Sequence, residues 1–473
     1  MASNDRNTAV WQAVDEHAPA CLALSDAVWE APELAYGETR AAALHLAVLE
    51  AAGFRAQGNV AGLPTAVMGE AGAGGPVIAF LGEYDALPGL SQQAGVWQPQ
   101  PLVPGGNGHA CGHNLLGAGS LLAAIALKAW LARTGLPGRV RYYGCPAEEG
   151  GAGKIFMLRG GAFAGVEFGL SWHPDAFCLV DKARSIATIV VDYAFHGRTA
   201  HAAVAPHLGR SAMDAVELTS IGVNYLREHM PTSARVHSAL QDQGGRATNV
   251  VPAYARVRYQ IRAPEVGEMF ELMERVHDIA RGAALMSGTR LEIRPVSGTA
   301  NLLGNAALEA AMQEAMEALG PVAFDARDIE DARQVQATLS EQDIRTDFAR
   351  YGFPYRRGLA LCDFVAPPSH PGELSPGSTD LGDVSWTFPV VQARSSTYAI
   401  GTPGHSWQFA AQGKSGIAHK GMVHAAKAMA ATAAALVADA DLRRRAQAEF
   451  AARLAETPYR CPMPEDARPG QEP

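Results

Sequence analysis

The sequence predicts an α/β protein with a mostly parallel sheet, interrupted by an inserted ferredoxin-like βαββαβ domain. Three observations carry this. The chain has 473 residues, more than one hydrophobic core ordinarily organises. Through its first third, short apolar runs alternate with helical ones, the pattern of strands joined by helices around a parallel sheet. Between residues 185 and 299 the order becomes β-α-β-β-α-β, the split βαβ unit. The expected organisation is a main domain in two parts, 1–184 and 300–473, with 185–299 inserted between them.

Each element follows from its local pattern. Asn7 to Gly53 reads as helix, broken at Ala31-Pro32. The run from Pro76 to Leu81 is a short apolar stretch after a Gly-rich turn, hence a buried strand. It leads into Gly82-Glu83-Tyr84-Asp85. Leu115 to Arg133 is apolar nearly all round, which predicts a buried helix. Arg139 to Tyr143 and Phe168 to Trp172 are further strands, followed by Pro146-Ala-Glu-Glu-Gly150 and by His173. In the insert, strands are expected over Ser185–Phe195, Ala234–Leu240, Val251–Arg262 and Thr289–Pro295, with helices over Gly209–Arg227 and Val266–Leu285. A helix over Asn305–Leu319 resumes the main domain. Tyr351–Gly377, rich in Pro and Gly, predicts a long loop. From Pro458 onward an exposed tail is expected.

Composition narrows the function classes. Hydrophobic residues make up 48% and charged residues 18%, a well-buried globular balance. The net charge of −9 argues against a nucleic-acid partner, which would call for a basic face. The Ala-rich stretch Gly421–Asp439 contains His424 and Lys427, so it reads as a buried helix and no membrane span is expected. The first residues lack a basic segment followed by an apolar run, so no secretory signal is expected. Six scattered cysteines without a CxxC fit free thiols in a reducing cytoplasm.

The chemistry is concentrated in loops at strand ends, where open α/β sheets place their sites. In an extended loop Cys111 and His113 would face the same side and could reach one cation. A buried thiol beside a hydrogen-bonded histidine fits that motif equally. Glu148 and Glu149 sit in apolar, Gly-rich company, where charge is costly unless paired or bound to metal. One could bind a cation while its neighbour acts as general base. His173 and His405, each alone, fit structural roles as well as ligating ones. Together, Cys111, His113, Glu149, His173 and His405 form a set large enough for two cations sharing bridges.

The ordered motifs GEYDALPG (82–89), GHACGHN (108–114), PAEEGG (146–151), WHP (172–174), HGRTAHAA (196–203) and GTPGHSWQ (401–408) resemble the M20 family of metallopeptidases and amidohydrolases. The Cys-Gly-His form is similar to the branch that holds aminoacylases and auxin-conjugate hydrolases. The likeness covers nearly the whole chain. It implies a metallohydrolase catalytic domain with a lid and dimerisation domain inserted in it. It implies Cys111, His113, Glu149, His173 and His405 as ligands of two divalent ions, Mn2+ or Zn2+. Glu148 would be the general base, and Asp85 would steady a ligand or that base. His201 would help hold the developing oxyanion, often reaching the partner subunit's site; Asn249 and Arg262 would contact substrate. Where other branches place a ligating histidine this chain has Glu83, whose role the motif leaves open. The implied reaction is hydrolysis of an N-acyl or N-aroyl amino acid, 4-aminobenzoyl-glutamate first among them, by a homodimer with room for a companion A-type subunit. Hydrolysis of another conjugate or a dipeptide, and a non-catalytic partner subunit, are the competing readings.

Overall fold

A computed structural model describes residues 3–182, 185–370 and 377–470. They form two compact units. One comprises Met1–Arg184, Leu303–Ser375 and Val384–Glu456; the other comprises Ser185–Leu302, Pro376–Asp383 and Thr457–Pro473.

The strands of the larger unit are β1 (Arg55–Val60), β2 (Leu63–Ala73), β3 (Val77–Glu83), β4 (Gly138–Cys145), β5 (Phe168–Asp175) and β6 (Leu179–Val180). Those of the smaller unit are β7 (Ala187–His196), β8 (Arg235–Asp242), β9 (Tyr254–Ala263) and β10 (Arg290–Thr299), and β11 (Val390–Ser396) returns to the larger one. The large sheet runs β1-β2-β4-β3-β5-β11-β6. Its centre, β4-β3-β5-β11, is parallel, and its flanks pair antiparallel. The β1–β2 hairpin is an addition to the sequence expectation, since Arg55–Val60 alternates too weakly to announce a strand.

Every residue of β3 is buried, as expected for a strand covered on both faces. The helix His113–Thr134 packs on this sheet and against helices Ser3–Trp29 and Gly416–Ala438. It is pinned where Trp172 Nε1 donates to Leu116 O at 3.1 Å and Ser120 Oγ donates to Leu81 O at 2.9 Å. Truncating a fully buried leucine here, such as Leu121, removes about 2–5 kcal/mol. Helices His113–Thr134 and Gly416–Ala438 are long and apolar enough to cross a membrane, yet their most apolar windows are 83% and 78% buried inside the protein. They are core helices.

The smaller unit has the sheet order β10-β7-β9-β8, all antiparallel, with helices Ala212–Leu226 and Val266–Ser287 packed on it. This is the ferredoxin-like arrangement. The segment after Pro458 is not the exposed tail that its composition suggests. Pro462 and Met463 are buried, Arg460 lies over the Phe270 ring at 3.8 Å, and Tyr459 Oη donates to Asp383 Oδ1 at 2.7 Å. Ala300 N donates to the other oxygen of Asp383 at 2.9 Å. The residues around it fold onto the smaller unit because a few apolar anchors outweigh a polar average.

Burial pushes the Asp383 carboxyl up to about 7, against the hydrogen bonds from Tyr459 and Ala300. The folded form therefore keeps a proton that the unfolded chain releases near pH 4. Stability drains away as pH rises from about 4 to 7 and is level beyond. Asp383→Asn is expected to raise the melting temperature relative to the parent more at pH 8 than at pH 4.5, measured by calorimetry at both.

Candidate metal centre

The parallel strands of the large sheet bring their carboxyl ends to one edge, and the ligand-type side chains follow from there. β3 ends in Glu83, with Asp85 two residues on. Its neighbour β4 ends in Cys145, in register with Glu83, and leads to Glu148 and Glu149. His173 lies within β5, on the other side of β3.

Local backbone geometry aims each group. Gly112 adopts φ +76°, and a Cβ there would meet Pro174 Cγ at 2.8 Å. The turn lets Cys111 leave its loop while His113 begins the buried helix. After β4, Ala147 takes φ 58° and its N–H donates to Glu38 Oε1 at 2.8 Å. A Cβ on Gly153 would lie 1.9 Å from Pro146 O, so this loop closes tightly between the strand and helix Gly153–Arg159. His405 also has positive φ, 55°, and its N–H donates to Ala110 O at 3.0 Å. That bond ties the 401–406 loop to the one bearing Cys111. Strained residues of this kind persist where surroundings over-determine them.

The side chains converge. Cys111 Sγ is 3.6 Å from His173 Nε2. His405 Nε2 is 3.2 Å from Glu149 Oε1. Ligand atoms of Cys111, His113 and His173 lie within 4.8 Å of one another; so do those of Cys111, Glu149 and His405, and those of Glu83, His113 and Glu148. Cys111 belongs to two of these groups. Asp85 joins them from behind: Oδ1 is 2.8 Å from His113 Nδ1, and Oδ2 accepts from Glu149 N at 2.8 Å. His173 Nδ1 is 2.8 Å from Pro174 O. In both histidines Nδ1 is held by a group outside the proposed ligand set, and Nε2 faces the cluster.

The electrostatics match a cation-shaped demand. Burial raises the Cys111 thiol, but the imidazoles of His113 and His173 bring it down to about 6. Burial works against charge on His113 and His173, yet Cys111 raises both, with Asp85 adding to the effect on His113. Hydrogen bonds to Cys111 and Glu149 lift His405 to about 10. Burial raises Glu149, and His405 and His113 outweigh it downward. The donor set is rich in thiolate and carboxylate groups, which suits divalent cations.

Two observations test whether these residues fit divalent cations. His113 Nε2 is buried without a hydrogen-bond partner, and Glu83 Oε2 lies 3.3 Å away, within ion-pair range. The spacings also fit. Nitrogen and oxygen ligands about 2.0–2.2 Å from a tetrahedral cation lie about 3.3–3.5 Å apart, and a sulfur at about 2.3 Å lies about 3.6 Å from a nitrogen. Cys111–His173 and His113–Glu83 meet those values, and His405–Glu149 at 3.2 Å lies just below them. Glu148 Oε2 is farther, 3.9 Å from His113 Nε2.

The remaining sequence candidates lie on the smaller unit. His201 is exposed, its Nδ1 accepting from Ala203 N and Val204 N at 3.3 and 3.2 Å. Asn249 is exposed, and its carbonyl accepts from Ala202 N. Arg262, on β9, lies opposite Thr188 and Arg235, and burial lowers its guanidinium. Sequence reasoning missed Lys154, which is fully buried with Nζ 2.6 Å from Glu83 Oε1. The one available signal was a lone lysine at the end of the run Gly150-Gly-Ala-Gly153.

Because Asp85 fixes the His113 ring, Asp85→Asn is expected to weaken divalent-cation affinity about 10- to 100-fold while the protein stays folded. Equilibrium dialysis with elemental analysis measures this.

Residues 79–354 match the description "Peptidase family M20/M25/M40". The chain is 45% identical over 456 residues to the B-type subunit of the p-aminobenzoyl-glutamate hydrolase of Escherichia coli, covering 94% of this chain and 95% of that protein. It is 31% identical to the Xaa-Arg dipeptidase of Mus musculus, over 94% of this chain and 91% of that one. A solved structure from Bacillus subtilis, described as a dinuclear metal binding peptidase from the M20 family, superposes with a TM-score of 0.60 at 19% identity, over 89% of this chain and 99% of the other. With its sheet, its insert and its ordered motifs, this chain belongs to peptidase family M20/M25/M40.

Proposed function

We propose that this protein is a metal-dependent amidohydrolase that cleaves 4-aminobenzoyl-glutamate to 4-aminobenzoate and glutamate. The observation that carries the reading is the cluster of Cys111, His113, Glu149, His173 and His405, with Glu148 beside it. The high identity to a hydrolase of that substrate, extending over nearly the full length of both chains, supports the choice of amide.

The five side chains would hold two divalent cations, with Cys111 able to serve both. Thiolate and imidazole favour zinc, and the family resemblance favours manganese. When bound, the cations would supply Lewis acidity and lower the pKa of water to about 7. The protein's own residues do the rest. Glu148 accepts a proton from water as the water oxygen attacks the amide carbon, then passes that proton to the glutamate nitrogen as the C–N bond breaks. Asp85 keeps His113 and the Glu149 backbone in place throughout. The roles of His201 at the oxyanion, and of Asn249 and Arg262 at the substrate, rest on the family resemblance. An arginine fork suits a substrate carboxylate.

The proposed assembly is a homodimer through the smaller unit. β8 is an edge strand whose residues are nearly all exposed, and Leu240 on it, with Ile221 and Tyr225 on the adjoining helix, presents apolar surface. Uncovered edges of this kind invite pairing. The Escherichia coli relative is the B-type member of a hydrolase that also has an A-type one, so a companion A-type subunit is part of the proposal. Free cysteines at all six positions suit a reducing cytoplasm.

Glu148→Gln is expected to lower kcat about 10²- to 10⁴-fold with cation content unchanged; full activity in a cation-loaded variant removes Glu148 from its role. Arg262→Ala is expected to raise KM about 10-fold or more with kcat little changed, since it removes a charged hydrogen bond to substrate. Both are measured on 4-aminobenzoyl-glutamate beside indoleacetyl-aspartate and Xaa-Arg dipeptides. Preference for a dipeptide would replace the proposed substrate with the second relative's.

A further inference from the structure

Glu83 and Lys154 form a buried ion pair at the edge of the cation cluster, and the five-ligand reading uses neither. Both side chains are almost wholly shut off from water, 3% and 0% exposed. A lysine so deep in a protein is costly unless its charge is needed. Its place is set by the chain. Lys154 is the second residue of helix Gly153–Arg159, directly after the loop bearing Glu148 and Glu149. Glu83 closes β3, in register with Cys145 at the end of β4.

The two oxygens of Glu83 are held apart in function. Oε1 is 2.6 Å from Lys154 Nζ. Oε2 is 3.3 Å from His113 Nε2, the nitrogen that is buried without a hydrogen-bond partner. That separation is the edge of a tetrahedron about a cation bonded to one nitrogen and one oxygen. Glu148, which completes this corner, stands farther off at 3.9 Å, as suits a group reaching toward water.

We propose that Glu83 is a sixth metal ligand, sharing a cation with His113, and that Lys154 is the positioning residue that keeps it monodentate. With Oε1 engaged by the ammonium, only Oε2 can face the cation. A second bound oxygen would otherwise crowd the coordination position that substrate or water needs. Lys154 also supplies one positive charge to a centre rich in carboxylates. This inference rests on the dinuclear reading above.

The test is titration of the full-length protein, freed of cations, with Co2+ alone. Visible d–d absorption and elemental analysis are the readouts. The parent chain should take up two Co2+. Glu83→Gln should weaken the second at least 10-fold and alter its absorption band. Lys154→Met should bind two with a shifted band, because Glu83 is no longer restricted to one oxygen. If either single variant fails to fold, the neutral pair Glu83→Gln with Lys154→Met removes the orphaned charge; it should still lose the second site at least 10-fold. Two tight sites and unchanged bands in the Glu83→Gln variant, or in the double variant, would overturn the proposal while leaving the dinuclear reading intact. A parent chain that takes up no Co2+ would overturn both.

Discussion

One carboxylate holds the candidate centre together. Asp85 receives His113 Nδ1 on one oxygen and the Glu149 backbone N–H on the other. Those two contacts link the loop that starts the central helix with the loop that leaves β4. A hydrogen bond to one ring nitrogen decides which nitrogen is left for a ligand role, so Asp85 sets the chemical identity of His113 as well as its position. The backbone bond also fixes where Glu149 begins, and therefore where its neighbour Glu148 can point. Remove Asp85, and the ligand groups remain in the sequence but lose their common origin.

The fold makes that arrangement possible by ordinary means. Parallel strands must end on the same side, and β3, β4 and β5 are adjacent. Residues remote in sequence, such as Glu83, Glu149 and His173, are thus brought to one edge with no special device. The device is needed only in the final few ångströms. There the chain uses left-handed turns at Gly112, Ala147 and His405, each steadied by close packing or a hydrogen bond. The helix His113–Thr134, buried along most of its length, gives the ligands a rigid floor.

How far the sequence could be read follows from the same physics. The strand ends and the helix after His113 were legible because apolar runs and glycines punctuate them. The insert was legible through its order of elements. Lys154 was not, since its meaning lies in the register of β3 with β4 and in one helical turn after a loop. Helices Ala326–Gln336 and Glu341–Arg350 went unannounced by apolar periodicity, although Asp325 with Asp328 and Ser340 with Asp343 form capping boxes that mark their starts. The C-terminal segment misled in the other direction: its average polarity concealed the anchors Pro462 and Met463.

The dinuclear reading requires five side chains, far apart in sequence, to hold two cations between them. Anomalous diffraction from crystals of the protein loaded with Mn2+ tests it most directly. Two peaks about 3.5–4 Å apart are expected, both within bonding distance of the group formed by Cys111, His113, Glu149, His173 and His405. Fully loaded crystals with no peak at that cluster, or with metal bound only elsewhere on the chain, would contradict it.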